Sequence, residues 1–427
     1  MKNKKLIVFI FVFFNCSLIS FGNQPGSINK KIEKCGTVGH TEILKSKNPS
    51  LEQQIVHDEK ALQLILNNSS NSRLTNTVYT IPVVVHVVYF TSAQNISVAQ
   101  IQSQIDVLND DFGRKNADTT KTPHSFSSYA SATNFQFCLA SRDPNDISTN
   151  GIERRQTNIQ VFNQGDDMKF YARGGLNAWD VSKYLNVWVC DMGGQIIGYG
   201  EQPTSTPSNT FGVVIQYNTF GKTGVVIPPY QLGRTCTHEI SHCFDLYHIW
   251  GDEDSCSGTD YINDTPNQAE ATFGCHSFPY ADICTITFPG IMFMNYMDYS
   301  DDNCMNMFTK DQAARMIASL NFYYPSILTS NGCLAVGIDQ LKDFKFNLYP
   351  NPTSGLLDID MFTAKDIGSK VNISVSDIFG KVIYETVILN PNQFVHQVDL
   401  HQLSNGIYFA TIFNSNFKKT EKIILNH

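Results

Sequence analysis

No stretch of the 427 residues is long and apolar enough to cross a membrane as a helix. The longest clean run, Leu6 to Phe14, falls well short of the roughly 20 residues a span takes. Excess positive charge is lacking as well. The 31 Lys and Arg face 39 Asp and Glu, for a net charge of −8, so the footprint of a nucleic-acid or anionic-membrane binder is missing. There are no internal repeats, and 42% hydrophobic with 12% aromatic residues exclude a mainly disordered chain. What is present is enough length for two or three domains. The 11 cysteines are an odd number, so at least one stays outside any intramolecular disulfide.

Met1 to Lys5 carry three lysines, the apolar run follows, and Ser20 and Gly22 supply small residues before Asn23. This order predicts a secretory signal peptide over residues 1–22. A membrane anchor and a lipidated Cys16 are the competing readings; the run is too short for the first, and Phe14-Asn15 is a poor lead-in for the second. Disulfides are therefore permitted. Residues 23–76 are polar, with one helix-like piece from Leu51 to Leu66, and read as a pro-segment. From residue 77 to 330 strand-like runs (Tyr79 to Tyr89, Phe135 to Leu139, Leu185 to Val189, Gly212 to Tyr217) alternate with helical spacing such as Ile101, Ile105, Leu108 and Phe112. That texture predicts an α/β (α+β) domain with a mixed, twisted sheet. A linker over 331–344 leads to residues 345–427, where short alternating runs and turn residues predict a small all-β sandwich.

The chemistry is expected in His238-Glu239-Ile240-Ser241-His242-Cys243-Phe244-Asp245-Leu246-Tyr247-His248. On a helix, His238 and His242 lie one turn apart on the same face and can reach one ion. Glu239 beside them is placed to act as general base toward a water. His248 completes a three-histidine site if the helix ends sharply and the chain turns back. Three imidazoles with one open position suit catalytic Zn2+. The turn position is Asp245 rather than Gly, and Asp is among the few other residues that tolerate positive φ. Glu253 and Glu270 are alternative third ligands, but neither sits on an amphipathic helix.

The stretch His238 to His248 resembles the extended zinc signature of the metzincins, and its surroundings resemble the pappalysin family of metallopeptidases. The matching segments include Leu108-Asn109-Asp110-Asp111-Phe112, Gly174-Gly175-Leu176-Asn177-Ala178-Trp179, Tyr184 to Val189, Gly233-Arg234-Thr235, Asp264-Thr265-Pro266 and Asn295 to Asp302. The resemblance implies a metzincin-like catalytic domain with a zinc-site helix. It implies that Met297 is the Met-turn methionine and that Tyr299 stands near the metal and stabilises the tetrahedral intermediate. It implies that Asp302 floors a specificity pocket that favours a basic residue on the primed side. It also implies disulfides Cys256–Cys284 and Cys275–Cys304, and Ca2+ near Asp264 and Thr265. Cys138, Cys190, Cys236 and Cys243 read as buried thiols.

Cys35, in Lys34-Cys35-Gly36-Thr37, can occupy the open zinc position as a zymogen switch, as in similar zymogens, with maturation expected between Arg73 and Val78. Toward the C-terminus, Leu348 to Gly355, Leu403 to Phe409, Lys419 and Lys422 resemble the sorting domain of the type IX secretion system of Bacteroidetes-type bacteria. The expected whole is a secreted or cell-surface zinc endopeptidase, exported by the Sec pathway and across the outer membrane. It is made as a zymogen, acts as a monomer on protein or peptide substrates, and has no nucleic-acid partner and no membrane span. An inactive relative serving as an adhesin is the alternative, and the presence of Glu239 argues against it.

Overall fold

The computed structural model describes residues 34–69, 77–194, 196–206, 208–253, 255–335, 345–362, 370–389, 394–413 and 418–427. The expected signal peptide with Cys16, most of the expected linker, and residues 73–76 of the expected maturation stretch lie outside them. No helix among the described residues is long and apolar enough to cross a membrane.

Two helices open the described residues, α1 (Thr37–Lys47) and α2 (Leu51–Ser69), where the sequence predicts one. The reason α1 escapes notice is physical. Its residues carry no apolar stripe, and the side chains it buries are Thr37 and His40. It is a helix fixed by what it docks on rather than by its own pattern.

A six-stranded sheet follows. It is built from β1 (Tyr79–Tyr89), β3 (Phe135–Leu139), β4 (Ile152–Gln156), β5 (Leu185–Cys190), β6 (Gly198–Gly200) and β7 (Gly212–Gln216). β1 is central. Its first half pairs in parallel with β3, its second half with β4, and its other edge with β5. β5 pairs in parallel with β7, and β6 closes that edge antiparallel to β7. From Ile81 to Val88 every residue of β1 is buried, which explains its continuous rather than alternating apolar sequence. A ribbon of β2 (Ala130–Ser131) and β8 (Phe308–Thr309) lies outside this sheet.

The helices α3 (Val98–Phe112), α4 (His124–Ser127), α5 (Arg234–Cys243) and α6 (Lys310–Tyr323) complete this part. Ser97 caps α3 by accepting from Gln100 N, and Thr309 caps α6 in a capping box with Gln312. The core joins Val83, Val85 and Val87 of β1 to Ile101, Ile105 and Leu108 of α3 and to Ile240 of α5. The position of β6 depends on glycine. A Cβ on Gly200 would fall 2.3 Å from Glu239 O, so only glycine lets the strand edge approach α5 this closely.

Among the described residues the C-terminal part has seven strands: β9 (Lys345–Tyr349), β10 (Leu356–Phe362), β11 (Lys370–Asp377), β12 (Val382–Leu389), β13 (Phe394–Asp399), β14 (Gly406–Phe413) and β15 (Lys418–Leu425). They form antiparallel sheets in the orders β13-β10-β9 and β12-β11-β14-β15. Leu357, Ile359, Val371, Ile373, Val375 and Ile412 alternate into one core, as the period of two requires.

Three disulfides link described residues: Cys138–Cys333, Cys256–Cys284 and Cys275–Cys304. The expectation that Cys138 is a free thiol is corrected. It lies near the end of β3, half-buried, and reaches across 195 positions to Cys333. Cys190, Cys236 and Cys243 are buried thiols, and burial pushes each of them up, Cys190 and Cys243 far above the usual range.

Candidate active site and metal centre

Helix α5 starts after Gly233, whose φ of 77° is left-handed. Arg234 at its first position is held from three sides. Its guanidinium meets Asp111 of α3, both oxygens of Asp118 at 3.1 Å, and the Tyr296 hydroxyl at 3.0 Å. Thr237 donates to Asp111 Oδ2 at 2.7 Å. The last turn of α3 thus sets where α5 begins.

The other end of α5 is a Schellman turn. Leu246 N donates to Ser241 O at 2.9 Å and Asp245 N to His242 O at 2.9 Å, with Asp245 at φ 72°. Asp245 therefore takes the left-handed position that the sequence assigned to it. The chain doubles back, and His248 joins His238 and His242.

The three Nε2 atoms lie 3.1 to 3.2 Å apart. Each Nδ1 is already spent: His238 on Tyr296 O at 2.6 Å, His242 on Leu246 O at 2.7 Å, His248 on Asp252 Oδ1 at 2.5 Å. Those partners place the protons on Nδ1 and turn three lone pairs toward one point. Burial and the neighbouring rings push His238 well below its ordinary pKa and His242 down to about 3, which favours the neutral form of those two rings. Neutral lone pairs facing one another at this spacing fit a shared cation. A tetrahedral zinc at about 2.0–2.1 Å from each nitrogen would set them roughly 3.3 Å apart.

Cys35 comes to the same point. Its Sγ is 3.4 Å from His242 Nε2 and 3.2 Å from Glu239 Oε2, and the four ligand atoms of Cys35, His238, His242 and His248 lie within 4.8 Å of one another. No other such group of three or more His, Cys, Asp or Glu occurs among the described residues. Thr37 Oγ1 also donates to Glu239 Oε2, at 3.1 Å. Burial pushes the Glu239 carboxyl up to about 8, against hydrogen bonds from Cys35 and Thr37 that pull it down. Burial and Glu239 likewise push the Cys35 thiol up.

The remaining expected residues fall as follows. Met297 is fully buried, and its carbonyl accepts from Ile249 N at 3.3 Å, one residue past His248. The Tyr299 ring lies 5.0 Å from that of His248 and 5.8 Å from that of His238, and its hydroxyl donates to Cys35 O at 3.4 Å. Asp302 is buried in a cavity lined with His238, Glu239, Tyr299 and Lys34, and its Oδ2 accepts from Leu232 N at 2.8 Å. Asp264 and Thr265 lie apart from this cluster. Asp264 Oδ2 accepts from Asp311 N at 3.1 Å, and Thr265 donates to Asp260 Oδ2 at 2.8 Å.

Residues 175–321 match the peptidase family described as pregnancy-associated plasma protein-A. An extracellular metalloprotease of Neurospora crassa is 40% identical over 196 residues, 42% of this chain and 66% of that protein. Mature mirolysin of Tannerella forsythia, solved with a cleaved peptide, is 51% identical with a TM-score of 0.57, covering 58% of this chain and 97% of its own. A promirolysin mutant from the same organism is 48% identical with a TM-score of 0.64, covering 71% of this chain and 98% of its own. The chain belongs to the pappalysin family. It spans 66% of the length of the Neurospora relative and 50% of an extracellular metalloprotease of Sordaria macrospora. Residues 347–426 match the secretion-system C-terminal sorting domain.

Sequence reasoning missed several groups in this pappalysin site. Lys34, next to Cys35, is buried, and its ammonium donates to Tyr299 O at 3.1 Å and to Ser300 O. Its charge is favoured by Asp302, Asp301 and Asp298, although burial, the larger effect, lowers its pKa. Asp252, four residues past His248, carried a legible signal: a carboxylate just beyond the last histidine. Arg315 carried none, because it lies on α6, 70 positions from the residue it holds.

Proposed function

We propose that the chain is a secreted zinc endopeptidase made as a zymogen. The observation that carries this is the convergence of three imidazoles and the Cys35 thiol on one buried point beside Glu239. His238, His242 and His248 would hold the zinc, with Cys35 as fourth ligand in the latent chain. When bound there, zinc supplies a Lewis acid, lowers the pKa of water near it toward neutrality and favours Cys35 as the thiolate.

The chain's own groups do the rest. Once Cys35 withdraws, its place opens to a water within reach of Glu239 Oε2, which now faces the sulfur at 3.2 Å. Glu239 takes a proton from that water and returns it to the leaving amine. Tyr299, whose hydroxyl donates to the Cys35 carbonyl at 3.4 Å, would donate instead to the oxygen of a scissile peptide. Met297 supports the histidines from the turn whose Tyr296 carbonyl orients His238.

Asp302 gives the primed-side pocket its preference for a basic residue. Support for this comes from Lys34, a basic side chain already buried against the pocket's carboxylates. Latency thus uses two adjacent residues, Lys34 toward the pocket and Cys35 toward the metal. Promirolysin aligns with 71% of this chain and mature mirolysin with 58%, as expected if the extra match includes a pro-segment. A structural calcium around Asp264 and Thr265 belongs to the same reading. Asp264 Oδ1, buried with no hydrogen-bond partner, favours it. The sorting domain directs the chain to the type IX machinery after Sec export.

A quenched-peptide assay on chain trimmed after residue 76, with a chelator control, tests the reading. Cleavage before Arg or Lys is expected, abolished by chelation and by Glu239→Ala. Full activity in Glu239→Ala, or indifference to chelation, would overturn it.

A further inference from the structure

The turn that brings His248 back to His238 rests on a residue poorly suited to it. Asp245 is left-handed at φ 72° and almost wholly buried. Glycine takes that backbone freely, whereas aspartate needs support for both its conformation and its buried carboxylate. Arg315 of α6 supplies both. Its Nε donates to Asp245 O at 2.7 Å and its Nη2 to Asp245 Oδ2 at 2.7 Å. The guanidinium is fully buried and lies over the rings of Tyr247 and Tyr261 at 5.2 and 5.7 Å.

Two histidines depend on this turn. Leu246, the residue after Asp245, offers the carbonyl that takes His242 Nδ1, and His248 lies two residues further on. A shift of Asp245 therefore moves a ligand and the orienting partner of another. The far side of the same guanidinium is occupied by the pro-segment. Glu59 of α2 accepts from Nη1 at 3.0 Å and from Nη2 at 2.6 Å, fork against fork.

We propose that Arg315 is a positioning residue for the metal centre: it fixes the left-handed Asp245 and through it His242 and His248, while Glu59 ties the pro-segment to the same guanidinium. This rests on the reading of the three histidines as zinc ligands.

The test is zinc retention by the full chain, measured as transfer to a chromogenic chelator, with thermal unfolding to check the fold. Arg315→Met should weaken retention about tenfold, as loss of a supporting partner does. Asp245→Gly alone should retain zinc like wild type. Combined with Arg315→Met it should restore retention, because glycine needs no clamp and leaves no buried carboxylate. Glu59 loses its partner in both Arg315→Met chains, so the difference between them isolates Asp245. Glu59→Gln, which leaves the Arg315–Asp245 pair intact, should retain zinc like wild type. If Arg315→Met does not fold, Arg315→Lys, which keeps the charge without the fork, should weaken retention in the Asp245 background and not in the Asp245→Gly one. Unchanged retention on losing Arg315, or an equal loss in the Asp245→Gly background, would overturn the proposal. A wild-type chain that binds no zinc would instead sink the reading of the site itself.

Discussion

Cys35 Sγ stands 3.2 Å from Glu239 Oε2, so the sulfur that would close the metal's coordination also covers the carboxylate that would serve as base. One side chain blocks both groups, and its removal should release both.

In the full chain, Cys35→Ser should raise basal peptide cleavage. Losing one buried polar contact costs about 1–3 kcal/mol, which increases the open fraction about 5- to 150-fold. Lys34, Thr37 and His40 still hold α1, so activity should stay below that of trimmed enzyme. A quenched-peptide assay checks this, and no gain over wild type would contradict the switch.

Asp252 orients His248 through a 2.5 Å contact to Nδ1. Asp252→Ala should weaken zinc affinity about 10- to 100-fold, read by competition with a chelator. Asp252→Asn, which keeps an acceptor oxygen, should lose less.

Asp166 ties α1 to the sheet. Its carboxylate takes His40 Nε2 at 2.8 Å, Lys169 Nζ at 3.0 Å and the Tyr199 hydroxyl at 2.9 Å, and Lys169 also meets Glu201 at 3.3 Å. Burial would raise its pKa, but Lys169 and His40 more than offset that and hold it below the ordinary 3.8. A depressed carboxylate contributes stability that is complete above its unfolded pKa and fades as pH falls through the folded one. Asp166→Asn, which breaks a buried ion pair, should cost about 3–5 kcal/mol at neutral pH. The gap to wild type should narrow only below about pH 4. Denaturant unfolding across pH checks both parts.

Cys138–Cys333 closes the chain from the end of β3 to beyond α6 into one loop of 195 positions. Replacing both cysteines by alanine should cost about 2–5 kcal/mol, measured by thermal unfolding under non-reducing conditions. The cluster of Cys35, His238, His242 and His248, which includes neither bridged cysteine, should keep its metal.

The parts of this molecule that were legible in sequence share one property: their information is local. The three histidines fall within one helix and its terminal turn, and the buried run of β1 announces itself by composition. The Asp245 position could be placed because the turn chemistry is written in adjacent residues. Groups that act across the fold were not legible. Arg315 reaches Asp245 from another helix, and Cys138 pairs with a cysteine nearly 200 positions away. Elements held by their surroundings were also missed. β6 is Gly-Tyr-Gly, chosen for its closeness to α5, and β4 is a charged, partly exposed edge without alternation. Lys34 looked like one more polar residue of the pro-segment until its burial beside Asp302 set it apart.

Cobalt substitution of the full chain tests the central claim most directly. Three imidazoles and one thiolate around a single Co2+ should give a sulfur-to-cobalt charge-transfer band in the near ultraviolet. The band should vanish in Cys35→Ser and on removal of the pro-segment, with cobalt still bound at one per chain. A band that survives the loss of Cys35, or a wild-type chain that binds cobalt without one, would contradict the account.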